Sequence, residues 1–164
     1  MSLPSNVKPG LLASALVLLV PPECARAQAA PSEPPYCAEL QRVAALALMK
    51  DKFASITGKP REGNFIDTTL ALPGWKDCSL YGPKNYTCDS PEFPTAQAAE
   101  QAQAGILREI QMCLGKAWSE AKERSSPSYV VLHSATAPLS ITLSRDETDR
   151  KQYLVRLILF ARER

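Results

Sequence analysis

The cysteines of this sequence restrict its fold more strongly than any other residue type. The chain has five, namely Cys24, Cys37, Cys78, Cys88 and Cys113. Cys24 lies in an N-terminal segment that we expect to be removed, which leaves an even set of four. In an oxidising compartment four cysteines imply two disulfides, and the sequence alone allows three pairings. No CxxC motif occurs and only one histidine is present, so neither a metal site nor thioredoxin-like redox chemistry is expected.

The N-terminal segment has the features of a secretory signal peptide. Lys8 precedes an apolar run over residues 11–20, whose length is roughly half of what a membrane-spanning helix needs. Two prolines follow the run, and small residues then stand where a signal peptidase cleaves. We therefore predict a signal peptide over residues 1–27, with cleavage after Ala27, or after Ala29 as the near alternative. The mature protein is predicted to be periplasmic or secreted and to have no stable membrane anchor.

Composition excludes several classes of protein. The chain has 19 Lys and Arg residues against 17 Asp and Glu residues, a balance that gives no positive field for nucleic acid. Residues 28–35 are rich in proline and alanine and are expected to form a flexible leader. Residues 36–164 are expected to form a single domain. A domain of this size buries about two thirds of its unfolded surface, so it needs no cofactor to form a core.

Helical periodicity occurs in two segments. Apolar residues at spacings of three and four predict a first helix over residues 36–57, with Gly58 as its C-terminal stop. A second stripe, with Thr95 as the N-cap, predicts a longer helix that reaches about Arg124. Gly105 and Gly115 within this helix suggest close packing.

The remaining segments have the pattern of β-strands. Strands are predicted over residues 65–72, in the two arms of a hairpin over residues 75–89, and over residues 128–135, 139–144 and 153–160. One helix and three strands are thus followed by one helix and three strands, the order αβββαβββ. This order predicts an α+β domain of two layers, with an antiparallel sheet of about six strands and both helices on one face.

The hairpin suggests how the cysteines pair. A turn over residues 82–85 sets Cys78 opposite Cys88 on the two arms. By elimination Cys37 pairs with Cys113, because antiparallel helices on one sheet face bring the start of the first helix to the end of the second.

Part of the mature chain resembles a group of small secreted proteobacterial proteins that are themselves uncharacterised. The matching residues are Leu72-Pro73-Gly74-Trp75, Cys78, Tyr86, Cys88, and the string Ile110-Gln111-Met112-Cys113-Leu114 followed by Trp118. This resemblance implies no activity. The order of elements is also similar to that of type III secretion chaperones, but those are cytosolic, so that likeness concerns architecture alone.

Residues for catalysis are sparse. His133 is the single histidine and therefore the one candidate for a catalytic triad or a conventional general base. No GxSxG motif accompanies it. Asp146, Glu147 and Asp149 lie among basic residues at the expected tip of a hairpin, a pattern typical of a solvated face. We therefore expect no catalytic residue, no cofactor and no bound metal.

Four aromatic residues, Trp75, Tyr81, Tyr86 and Phe93, are concentrated around the cysteine hairpin. They either form an exposed surface for binding a glycan or a protein, or cover the disulfide and seal the core. Trp118, in register with Leu114, is expected to be a core residue of the second helix.

These features favour a non-catalytic interaction protein, of the inhibitor, immunity or envelope accessory type, whose partner is an envelope or secreted protein. The alternatives are a carrier of a small apolar ligand and a small hydrolase centred on His133. An apolar cavity of a few hundred Å³ would favour the carrier, and acidic side chains within hydrogen-bonding reach of His133 would favour the hydrolase.

Overall fold

The structure is a computed structural model that describes residues 32–162. The predicted signal peptide over residues 1–27 lies outside the described residues, as do both predicted cleavage positions and residues 28–31 of the predicted leader. The described residues belong to one compact unit. Its helices are α1 (Cys37–Ala47) and α2 (Ala96–Leu114). Its strands are β1 (Thr57–Pro60), β2 (Phe65–Thr68), β3 (Asp77–Tyr81), β4 (Asn85–Asp89), β5 (Trp118–Glu120), β6 (Tyr129–Ser134), β7 (Leu139–Glu147) and β8 (Tyr153–Ala161).

All eight strands form one antiparallel sheet in the order β1-β2-β3-β4-β8-β7-β6-β5. Each half of the domain is a helix followed by a meander of four strands, and the two halves meet where β4 pairs with β8. Both helices pack on the central strands and bury a core that includes Leu40, Ile110 and Leu157. The predicted two-layer α+β architecture is confirmed, but the predicted count of about six strands is wrong.

The two additional strands, β1 and β5, are the edges of the sheet. β1 begins at the last residue of the first predicted helix, and β5 lies within the second predicted helix. Helix α1 ends at Ala47, and the chain turns through Lys52, which has a φ of 43°. Phe53 and Ile56 are nevertheless buried, because the turn and a short 3₁₀ helix (Ala54–Ile56) return them to the core. Both predicted helices were too long, since apolar spacing continues past the point where the backbone leaves the helix.

A glycine marks the end of α2 but not the end of α1. Helix α2 ends at Gly115, whose φ of 75° is rarely adopted by other residues. Trp118, which was expected in α2, is buried from β5 instead. Gly58 is not a helix stop, because it lies within β1 and faces Asp67 of the neighbouring strand.

Both predicted disulfides are present. Cys78 and Cys88 are directly opposed on β3 and β4, with their Cα atoms 4.1 Å apart. Cys37 at the start of α1 is joined to Cys113 near the end of α2, with a Cα separation of 4.9 Å. The two helices are therefore linked to each other, and the hairpin is linked across its strands.

Candidate functional site

The four aromatic residues around the hairpin do not form one surface. Tyr86 is fully buried and its hydroxyl donates a hydrogen bond of 2.8 Å to the backbone oxygen of Leu70. Burial raises the pKa of Tyr86 above its ordinary value. Tyr81 is exposed and lies on the face of the sheet opposite the helices. Only Trp75 and Phe93 of the four come together at one concave site, whereas Tyr86 belongs to the core. Binding at these residues stays a prediction.

Trp75 and Phe93 line a concave site of about 380 Å³ at the edge of the helical layer. We call this site the aromatic groove, and its main lining residues are Tyr36, Trp75, Phe93, Gly105, Ile106 and Glu109. The rings of Tyr36 and Trp75 are in edge-to-face contact, 6.1 Å between centroids. Phe93 is held by two backbone hydrogen bonds to Tyr153, of 2.6 and 2.9 Å. The aromatic walls of the groove are therefore fixed by packing and by the sheet.

One end of the groove carries a carboxylate. The Tyr36 hydroxyl donates a hydrogen bond of 2.8 Å to Oε2 of Glu109. Burial, and then this hydrogen bond to Glu109, raise the pKa of Tyr36 far above its ordinary value, so the phenol remains protonated. Within residues 32–162 no lysine or arginine forms an ion pair with Glu109. The groove thus combines an apolar wall with one oriented negative charge.

Gly105 keeps the groove open. A Cβ atom built at this position meets no atom within 4 Å, and the same holds at Gly115, so the close packing expected at both glycines is wrong. Because Gly105 lies in the interior of α2, any side chain placed there projects into the groove without straining the helix backbone.

His133 lies elsewhere, in β6. Its Nε2 is 3.3 Å from Nη1 of Arg124, a geometry in which the guanidinium donates to a neutral ring. Partial burial, followed by the positive charges of Arg162 and Arg124, lowers the pKa of His133. No carboxylate of residues 32–162 forms a hydrogen bond with the ring. In the same part of the chain, no group of three or more His, Cys, Asp and Glu residues could hold a metal ion.

A second concave site was missed by sequence reasoning. It lies on the face of the sheet opposite the helices, has a volume of about 330 Å³, and is called the acidic pocket below. Its lining residues are Arg61, Glu62, Phe65, Asp77, Ser79, Thr87, Asp89 and Arg156. The pocket joins Asp89 to Arg156, 67 positions apart in the chain. The available signal was the alternation of polar residues along both arms of the hairpin, which places them on one face.

Comparison of the chain with protein-family models, with curated proteins and with solved structures finds no match. The fold and the two sites define a disulfide-linked α+β domain with one apolar and one acidic concave surface. The resemblance to small secreted proteobacterial proteins stays a prediction, and function is argued below from these sites.

Proposed function

We propose that this protein is a non-catalytic interaction protein of the periplasm or the extracellular space, whose aromatic groove binds an apolar segment of an envelope or secreted protein. The observation that carries this proposal is the meeting of Tyr36, Trp75 and Phe93 around an open concave site. Aromatic side chains in fixed positions dominate the binding energy of many interfaces. An inhibitor, an immunity protein and an envelope accessory factor would each act through such binding.

The charge of the groove specifies the partner further. Glu109 lies beside the aromatic wall, and its carboxylate is oriented by Tyr36. A segment that fills the groove therefore gains from a lysine or arginine next to its apolar residue, because that cation meets a carboxylate that has no other ion pair in the described chain.

Two observations support the compartment. The chain forms two disulfides, which persist in oxidising compartments, and its N-terminal sequence has the pattern of a signal peptide. Among residues 32–162 no helix is long and apolar enough to cross a membrane.

The carrier function is a second candidate, because the aromatic groove offers about 380 Å³ of largely apolar space that could hold a small apolar molecule. The surroundings of His133 give no support to the hydrolase. Its ring contacts the guanidinium of Arg124, and Glu123 acts on its charge but forms no hydrogen bond with it among residues 32–162.

A steric block tests the groove. Gly105→Phe places a ring in the groove, where an added Cβ meets open space. Ala104→Phe is the matched control, because Ala104 is exposed and projects about 100° further around the helix. Wild-type mature protein is used to capture partners from envelope extract, and the affinity of each captured protein is then measured with both variants.

We expect Gly105→Phe to weaken binding by about tenfold or more, Glu109→Gln to weaken it less, and Ala104→Phe to leave it unchanged. Equal binding by all three variants would show that the groove is not the interface. Native mass spectrometry of the wild type tests for a bound small apolar molecule. If such a molecule is found and is lost in Gly105→Phe alone, the carrier function replaces the interaction function as the proposal.

A further inference from the structure

The acidic pocket is separate from the aromatic groove, and its ion pairs define its chemistry. Arg61 spans two strands, with Nε 2.7 Å from Asp67 and Nη1 3.0 Å from Asp77. Arg156 binds Asp89 through two hydrogen bonds, of 2.7 and 3.0 Å, and its Nη1 is 3.1 Å from Asp146. Each guanidinium is thus matched by two carboxylates, and all three nitrogens of Arg156 are engaged.

Negative charge remains in excess after this pairing. Glu62 also lines the pocket and forms no ion pair within residues 32–162. Three carboxylates, those of Glu62, Asp77 and Asp89, line the pocket with two guanidiniums, which leaves an excess of one negative charge there. Asp67 and Asp146 lie outside the lining and pair with the same two guanidiniums, which further reduces the positive charge available in the pocket. Asp77 and Asp89 are directly opposed on adjacent strands, an arrangement of like charges that a bound cation would stabilise.

Thr87 adds an acceptor to the pocket. Its side chain lines the pocket from β4 and is only 6% exposed, yet Oγ1 has no hydrogen-bond partner. An unpartnered buried hydroxyl costs stability unless a ligand pairs with it. Together with the free lone pairs of the carboxylates, it makes the pocket a site for hydrogen-bond donors.

An apolar cavity of about 210 Å³ adjoins the pocket and shares Phe65, Thr87 and Arg156 with it. Phe65 and Tyr81 form a tilted pair there, 5.1 Å between centroids, and are 39% and 46% exposed. Ile158 lies beside them. Such a surface packs against methylene groups and attracts cations through the ring faces.

We propose that the acidic pocket and this adjoining cavity bind an alkylammonium group, with the cation among the carboxylates and its aliphatic stem on Phe65 and Tyr81. The same chemistry is presented by a free aliphatic amine and by a lysine side chain of a protein. An anion is disfavoured, because the arginine charges are already neutralised by aspartates.

The test is a titration of the mature, oxidised protein followed by NMR, at low salt. The probes are cadaverine, its neutral analogue pentanediol, and the capped tripeptide Ala-Lys-Ala. Cadaverine or the tripeptide should shift the amide signals of β3, β4 and β8 around Thr87, and pentanediol should not. Tighter binding of cadaverine identifies a free amine as the source, and tighter binding of the tripeptide identifies a protein side chain.

Two variants and two controls locate the binding. Glu62→Gln should weaken it by about two- to fivefold, while Glu120→Gln, which removes an equal charge from β5 at the far edge of the sheet, should not. Thr87→Val should weaken it by about tenfold, because a hydrogen bond to a charged group is lost, without lowering the melting temperature. Gly105→Phe should have no effect on amine binding, so the proposal for the acidic pocket and the proposal for the aromatic groove are tested independently.

The proposal is overturned if neither amine binds, if pentanediol binds equally well, or if Glu62→Gln and Glu120→Gln have equal effects. If Thr87→Val does not melt cooperatively, the comparison between Glu62→Gln and Glu120→Gln decides whether the amine binds in the acidic pocket.

Discussion

Two glycines of this chain have opposite surroundings, and the difference sets what an added methyl group does. A Cβ atom at Gly58 would lie 2.9 Å from Cβ and 3.0 Å from the backbone oxygen of Asp67, whereas one at Gly105 meets nothing within 4 Å. We expect Gly58→Ala to lower the free energy of unfolding by about 1–3 kcal/mol, because β1 must move away from β2. Gly105→Ala should raise it by about 0.5–1 kcal/mol through helix propensity. Urea unfolding with the disulfides intact measures both, and shifts of the same sign would contradict the described contacts.

We expect His133 to make the stability depend on pH. Its pKa in the folded protein is lowered from 6.5, so as the pH falls the unfolded chain binds the proton before the folded one. The contribution of neutral His133 is therefore fully present above the unfolded pKa and is lost as the pH falls through it toward the lower folded pKa.

We expect the melting temperature of the wild type to fall between about pH 7.5 and pH 5.5, and His133→Gln to reduce this fall. Measuring both proteins over the same range separates His133 from the carboxylates. A fall of equal size in the variant would mean that burial and the charges of Arg162 and Arg124 do not disfavour the charged ring.

At the scale of elements, the two disulfides close chain segments of very different length. The bond between α1 and α2 joins residues 76 positions apart, and the bond between β3 and β4 joins residues 10 positions apart. In the chain-entropy treatment these restraints stabilise the fold by about 4.5 and about 2.8 kcal/mol. Replacing Cys37 and Cys113 together by alanine should therefore destabilise more than replacing Cys78 and Cys88 together, in urea unfolding of the two double variants. The reverse order would mean that the hairpin bond contributes more than loop closure.

The two helices show which features of an element can be predicted from neighbouring residues in the sequence. The start of α2 was predictable because its cap is local, with Oγ1 of Thr95 accepting a hydrogen bond of 3.1 Å from the amide of Ala98. The C-terminal ends of both helices were not predictable in this way. Phe53, Ile56 and Trp118 continue the apolar spacing, but they reach the core from a turn, a 3₁₀ helix and an edge strand. Apolar spacing indicates which residues are buried, but it does not specify the backbone conformation that places them in the core.

At the scale of the whole molecule, the pairing of β4 with β8 organises both candidate sites. It brings Arg156 beside Asp89 on one face of the sheet. It also places Phe93, just after β4, next to Tyr153 at the start of β8 and so at the edge of the aromatic groove. No short segment of the sequence contains this information, because the residues concerned are more than 55 positions apart.

The sequence by itself determined the α+β class, the two helices on one sheet face, the hairpin and both disulfides. Each of these follows from apolar periodicity, a cap, a turn or two opposed cysteines, which act over short stretches of chain or leave a single pairing by elimination. Only the tertiary structure decided that Trp75 and Phe93 share a groove while Tyr81 and Tyr86 do not, and that Arg61 and Arg156 lie among aspartates of other strands. These arrangements depend on which strands become neighbours, and that choice is made by the burial of the whole core rather than by any local pattern.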